Sequence, residues 1–290
     1  MVDESGVRAG TVLGPGSEYV RQPFDIAANV LLERYGFTDC SLELLCYSEN
    51  HTYRVTRQNG EPVATLRICR PGYRSLRELQ AEIDWLLHLY DEVKLEDIEI
   101  IRPIPALDGS TVQVVTLPDG NVFHGVAFVY MDGVTPDEAD GEAMRRLFRR
   151  LGSFAAALHE HTRGLGAAAA TRASFMPPII RPVWDCDTTL GPHALWGDWR
   201  VFAGFTSQEK ELLERAETCI RSAMAAYGKP HDRFGLIHAD MRLANLLVED
   251  DILKLLDFDD CAYSWHLFDL AASLSFIEAR PDVPDLIASW

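Results

Sequence analysis

Apolar residues recur with helical period from Phe24 to Tyr35, which predicts a helix that stops at Gly36. Alternating segments come next. Leu42 to Cys46 and Thr52 to Thr56 read as paired strands around the polar turn Tyr47 to His51. Asn59-Gly60 is a hairpin signal leading into a strand over Val63 to Cys69. Pro71-Gly72 breaks the chain, and Ser75 to Tyr90 returns to helical period. Thr111 to Leu117 and Asn121 to Tyr130 form a second hairpin around Asp119-Gly120. Beyond Met131-Asp132-Gly133 the helical period dominates. Glu138 to His159 predicts one long helix, the Ala-rich run 167–170 beside Gly164 and Gly166 a linker, and Pro177 to Trp199 an irregular segment. Thr206 and Glu209 form a capping box for a helix ending near Gly228. A strand-loop-strand unit and a helix over Leu267 to Glu278 complete the pattern. The class expected is α+β, with residues 1–20 a mobile tail, 21–131 a small β-rich N-lobe, and 132–290 a larger, mainly helical C-lobe.

The strand-loop-strand unit carries the chemistry. His238, Asp240 and Asn245 stand in the order H-x-D-x-x-x-x-N, and Asp257-Phe258-Asp259 closes an apolar run twelve residues after Asn245. Phosphoryl transfer from a nucleotide asks little covalent chemistry of a protein. It needs a carboxylate to position the acceptor hydroxyl and take its proton, and oxygen ligands for Mg2+. Asp240 suits the first task; Asn245 and Asp257 suit the second. Three residues at fixed spacing can coincide by chance. The strand-turn-strand from Asn245 to Leu256, ending in D-F-D, argues against that alternative. His238 reads as an orienting residue rather than the base. Asp259 is the weaker metal candidate, because its side chain points to the opposite face if the strand continues.

These residues resemble the aminoglycoside phosphotransferase and choline kinase superfamily, the small-molecule relatives of protein kinases. Protein kinases read H-R-D and D-F-G here; His238-Ala239-Asp240 and Asp257-Phe258-Asp259 look like the small-molecule branch. The resemblance implies a bilobal protein-kinase-like fold, with ATP and Mg2+ bound between the lobes and the γ-phosphoryl group passed to a hydroxyl. It places Arg67, in Ala64-Thr65-Leu66-Arg67-Ile68, where kinases hold a phosphate-gripping lysine, with Glu82 as its ion-pair partner. Arginine at that place is similar to a subset containing stress-response kinases and homoserine-kinase-like proteins, and a guanidinium can grip phosphates bidentately. The alternative is a solvated strand arginine and an unpaired helical glutamate. Asp269 matches a family aspartate that supports the catalytic loop.

Other positions are open between a ligand role and a plain structural one. The loop Ser48 to Thr52 sits where kinases carry a glycine-rich phosphate cover but has no glycine; the hydroxyls of Ser48 and Thr52 and the Asn50 amide are the available donors, and a polar turn is the alternative. Tyr130 and Met131 fit an adenine-contacting hinge or an ordinary strand end. Trp184, Asp185, Trp196 and Asp198 could form an aromatic and acidic cage for a cation, although packing against the helical lobe is the commoner use of such tryptophans. Asp260, Tyr263, Trp265 and His266 fall on the acceptor side. Arg181, Arg200 and Arg242 are available to hold an acceptor carboxylate. His159 and His161 read as caps or surface residues.

A net charge of −17 argues against nonspecific binding of nucleic acid or anionic membrane and is compatible with a cationic substrate. Met1 to Gly10 lacks the apolar core of a signal peptide, no apolar run reaches membrane-spanning length, and six scattered cysteines without a C-x-x-C pair suit a reducing, cytoplasmic setting without zinc. Asp285 to Trp290 ends partway into an amphipathic helix without a capping signal, whereas the family continues for several helices, so the expectation is a truncated product with an incomplete substrate side. The function expected is a kinase for a small, amine-bearing hydroxyl compound. A protein Ser/Thr kinase and a nonenzymatic nucleotide-binding module are the competing readings.

Overall fold

The chain opens, where the computed structural model describes it, with a short strand β1 (Arg8–Ala9) laid parallel on β2 (Cys40–Tyr47). The described residues are 8–9, 21–47, 50–170 and 179–290, so the rest of the expected N-terminal tail and Ser48 lie outside them. Residues group into two units, one running to Thr135 with Leu247–Leu256 added, the other comprising Pro136–Leu246 and Asp257–Trp290.

In the first unit α1 (Gln22–Arg34) covers a sheet whose order is β1-β2-β3-β4-β8-β6, with β7 also on β8, antiparallel throughout except for β1 on β2. Its further strands are β3 (Asn50–Arg57), β4 (Pro62–Cys69), β6 (Pro103–Ile104), β7 (Val112–Thr116) and β8 (Val122–Val129). Tyr53 and Val55 on β3 and Ala64, Leu66 and Ile68 on β4 alternate toward the core, which they share with Leu31 of α1 and Tyr35 at its C-terminal cap. Tyr53 directs its hydroxyl to Asp25 at 2.9 Å, so a core ring keeps a polar partner. The Asn59-Gly60 turn forms as the sequence predicts; Gly60 has φ 87°, a conformation that costs a side-chain-bearing residue more. Helix α2 (Leu76–Glu92) starts at a reciprocal Ser75–Glu78 capping box and buries Leu79, Glu82, Ile83, Leu86 and Leu89 at helical spacing.

Strands that escape the sequence reading include β5 (Ile98–Ile100) and β6, as well as β1, which pairs with β2 where a mobile tail was expected; each is too short to show alternation. The hairpin β10 (Leu246–Glu249) and β11 (Ile252–Leu255) extends from β5 into a three-stranded sheet of the first unit.

Gly125 on β8 lies against α1. A Cβ there would fall well inside contact distance of Leu31 Cδ1, and Leu31 is fully buried, so it has nowhere to turn. Gly125→Ala should therefore destabilise the protein by about 1–3 kcal/mol, the usual cost of overpacking. Denaturant unfolding measures it, and a midpoint equal to the parent's would contradict the packing described.

The second unit contains α3 (Gly141–Ala170), α4 (Cys186–Leu190), α5 (Ser207–Tyr227), β9 (Phe234–Ile237), β12 (Ala262–Trp265), α6 (Leu267–Ser273) and α7 (Val283–Ser289). Three expectations change here. The long helix starts later than Glu138, because Asp140 accepts from the amides of Glu142 and Ala143 and fixes the first turn. It also runs through the supposed linker, since four consecutive alanines favour helix enough to carry Gly164 and Gly166. The helix over Leu267–Glu278 stops at Ser273, and Phe276 takes φ 71°, which no helix continues through. Among the described residues no helix is long and apolar enough to cross a membrane.

Candidate active site

Strands β9 and β12 pair antiparallel with Ala262 opposite Ile237. The loop leaving β9 at His238 and the turn entering β12 after Cys261 are thereby brought side by side, although they are distant in sequence. The first loop turns sharply: Ala239 has φ 69°, outside the range a non-glycine residue prefers. Its amide donates to Asp269 Oδ1 at 2.7 Å, which holds the bend. The other Asp269 oxygen meets His159 Nε2 at 2.8 Å, and His159 stacks on His266 at 4.3 Å. His159 is thus a buried residue in mid-helix, not a cap or surface group, because α3 continues beyond it. Sequence offers no sign of this link across 110 positions.

The bend presents Asp240. Asn245, returned by a 3-10 turn over Leu243–Asn245, donates its amide nitrogen to Asp240 Oδ2 at 2.6 Å and to Asp240 O at 2.9 Å. With that nitrogen committed, the Asn245 amide oxygen is the atom left to meet a cation. His238 is fully buried, accepts the Asp240 amide on Nδ1 at 3.1 Å and packs its ring on Phe258, which suits the orienting task. Burial pushes the Asp240 carboxyl up to about 7, with Asp257 and Asp260 pushing the same way and Arg242, 3.2 Å from Oδ2, and the Asn245 bond pulling it down. Arg242 is therefore partnered with Asp240.

Asp257 comes two residues after the end of β11. It has φ 54°, and Asp259 N points at its Oδ1 from 3.4 Å. The strand ends at Leu255, so the face argument that set Asp259 aside does not apply; Asp259 is buried inside a turn. Among the described residues no group of three His, Cys, Asp or Glu side chains is arranged around a metal. Mg2+ takes one or two protein oxygens and completes its shell with water and phosphate. The Asn245 oxygen and the Asp257 carboxylate fit that demand.

In the first unit Arg67 Nη2 donates to Glu82 Oε2 at 2.8 Å, both side chains buried, and the guanidinium lies 5.2 Å from the Phe128 ring centre. The solvated-arginine alternative is excluded. Asn50 begins β3 and is buried, and Thr52 lies in mid-strand opposite Arg67. Tyr130 and Met131 line a cavity of about 330 Å3 with Tyr90, Ile98, Val129 and Lys254; Arg67 and Glu82 are not among its walls.

The tryptophan-rich segment is mostly structural. Trp184 is buried against Trp196 and Phe268, and Asp185 caps α4 and pairs with Lys229 at 2.6 Å. Asp198 and Arg200 pair with each other at 2.8 Å, and Arg200 also bonds Glu217. Trp196 remains 62% exposed. Tyr263 directs its hydroxyl to the Ile179 carbonyl at 3.1 Å. Arg181 is buried, with bonds to the carbonyls of Asp259 and Cys261.

Residues 48–288 match the sequence profile described as the phosphotransferase enzyme family. Amicoumacin kinase of Bacillus subtilis (strain 168) is 26% identical over 253 residues, 87% of this chain and 67% of that protein. The chain spans about two thirds or less of the length of the curated relatives it matches. Among solved structures, a microcompartment-associated aminopropanol kinase is 33% identical with a TM-score of 0.76, covering 92% of this chain and 78% of that one. The amicoumacin kinase hAmiN, solved with AMP-PNP, Ca2+ and amicoumacin, superposes with a TM-score of 0.69 at 20% identity, covering 93% of this chain and 76% of that one. The α+β fold is protein-kinase-like, as these neighbours share it.

Proposed function

This chain belongs to the phosphotransferase enzyme family, and from that premise we propose that it transfers the γ-phosphoryl group of ATP to a hydroxyl of a small, amine-bearing compound. The observation that carries the reading is the Asp240–Asn245 pair, with Oδ2 and Nδ2 2.6 Å apart, on a loop aligned by strand pairing with the Asp257 turn. The relatives named as aminopropanol kinase and amicoumacin kinase support a small-molecule acceptor, and aminopropanol by its name carries both an amine and a hydroxyl.

Each side chain has a task in that reaction. Asp240 orients the acceptor hydroxyl and takes its proton as the oxygen attacks. A carboxylate pushed toward 7 by burial is basic enough to accept that proton near neutrality. His238 and Asp269 hold the loop, and Arg67, set by Glu82, grips phosphate oxygens. Asn245 and Asp257 would hold Mg2+, which would neutralise charge on the phosphates of ATP and polarise the γ-phosphoryl group. The carboxylates of Asp257 and Asp260 lie close enough to Asp240 to raise its proton affinity, so a cationic acceptor is favoured beside it over an anionic one.

ADP release from Mg-ATP, measured over a panel of amino alcohols, hydroxylated amino acids, aminoglycosides, neutral polyols and protein substrates, tests the reading. The amine-bearing compounds should give the highest kcat/KM. Preference for neutral or anionic alcohols would overturn the acceptor class, and phosphorylation of the proteins alone would overturn the small-molecule assignment.

A further inference from the structure

The D-F-D-D turn carries a left-handed residue and a dense run of negative charge. Asp257 sits at φ 54° without being glycine, and Asp257, Asp259 and Asp260 place three carboxylates within four positions. Cys261 N bonds Phe258 O at 3.0 Å, and Asp259 N points at Asp257 Oδ1 from 3.4 Å. A buried guanidinium reaches it from outside. Arg181 donates through Nε to the Cys261 carbonyl at 2.7 Å and through Nη2 to the Asp259 carbonyl. Arg181 is itself fixed by its neighbours. Tyr263 N bonds Pro182 O at 2.9 Å, Trp184 N bonds Tyr263 O at 2.8 Å, and Ser264 Oγ bonds Trp184 O at 2.7 Å, so the segment runs along β12 like an added strand.

We propose that Arg181 is a positioning residue for metal binding: it fixes the backbone of the turn so that Asp257 meets the cation without first being ordered. The inference rests on the metal role given above to Asn245 and Asp257. Two features make arginine the residue for this. Its rigid planar fork aims two separate nitrogens at two carbonyls two residues apart, a fixed geometry that lysine's single flexible ammonium does not reproduce. Its permanent positive charge sits against the backbone of a segment that carries Asp257, Asp259 and Asp260, and its two bonds described here go to backbone carbonyls. Groups that orient a ligand from outside its coordination shell change metal affinity by about 10- to 100-fold when removed.

The test compares the parent chain with Arg181→Met, Arg181→Lys and Asp257→Asn. Mn2+ binding is followed by EPR without nucleotide, and KM for Mg2+ and kcat are read separately in turnover. Arg181→Met should weaken Mn2+ binding and raise KM for Mg2+ by about 10-fold or more, with a smaller change in kcat, and Arg181→Lys should recover part of the loss. A lower melting temperature with unchanged Mn2+ affinity and KM would overturn the proposal, leaving Arg181 purely structural. Should Arg181→Met fail to fold, Arg181→Lys carries the same comparison, because its altered fork predicts a weaker metal site in a folded protein. If Asp257→Asn binds Mn2+ as the parent does, the metal assignment itself fails and the proposal with it. Loss in Asp257→Asn but not in either Arg181 variant overturns the proposal alone.

Discussion

Asp240→Asn should lower turnover by about 100-fold or more, the loss expected when a general base is removed, while leaving the melting temperature near or above the parent's. The substitution keeps the size of the side chain and the oxygen that Asn245 approaches at 2.6 Å. It removes the negative charge, and with it the capacity to take the acceptor's proton. The stability expectation follows from the same environment. Burial holds the Asp240 carboxyl at about 7, far above its usual value, so its charged form is disfavoured in the folded protein. The resulting destabilisation is full above about 7, shrinks as pH falls from there toward the ordinary carboxylate value, and is gone only below the latter. A neutral amide escapes that cost at every pH. Large loss of kcat without loss of stability separates a catalytic carboxylate from a structural one. Turnover within a few-fold of the parent would sink the assignment.

Glu82→Ala should destabilise the first unit by about 3–5 kcal/mol, the cost of stranding one member of a buried ion pair. Glu82 is fully buried and the Arg67 side chain 7% exposed, so water cannot replace the lost carboxylate without opening the interface between α2 and β4. Glu82→Gln keeps an acceptor and should cost less. The order matters more than either value: a surface pair would cost about 1 kcal/mol or less in either variant. Denaturant unfolding of the two variants measures it. The same pair aims the Arg67 guanidinium, so Arg67→Lys should raise KM for ATP, since an ammonium offers no planar fork to a phosphate.

The parts of this fold legible in the sequence are those whose signal is local. Asn59-Gly60 and Asp119-Gly120 announce hairpins because the turn geometry demands those residues, and the Ser75–Glu78 and Thr206–Glu209 boxes mark the starts of α2 and α5 where they occur. The catalytic motif is readable for the same reason: Asp240, Asn245 and Asp257 are spaced by one loop and one hairpin. What escaped depends on distant partners. His159 looks like a helix-end residue until Asp269, 110 positions away, accepts its bond and passes the constraint to Ala239. Arg181 looks available for a ligand until β12 draws its segment alongside and buries the guanidinium on two carbonyls. Trp184 and Asp185 suggest a cation cage by composition, yet one fills a core and the other caps a helix. Aromatic and charged residues next to each other in sequence do not disclose which face each will take.

The most direct measurement is 31P NMR of the products formed from Mg-ATP and an amine-bearing alcohol by the parent chain and by Asp240→Asn. The account predicts a new phosphomonoester resonance in step with ADP in the parent sample, and none on that timescale in the variant. ADP formed with only inorganic phosphate beside it, or the same phosphomonoester formed equally by both proteins, would contradict it.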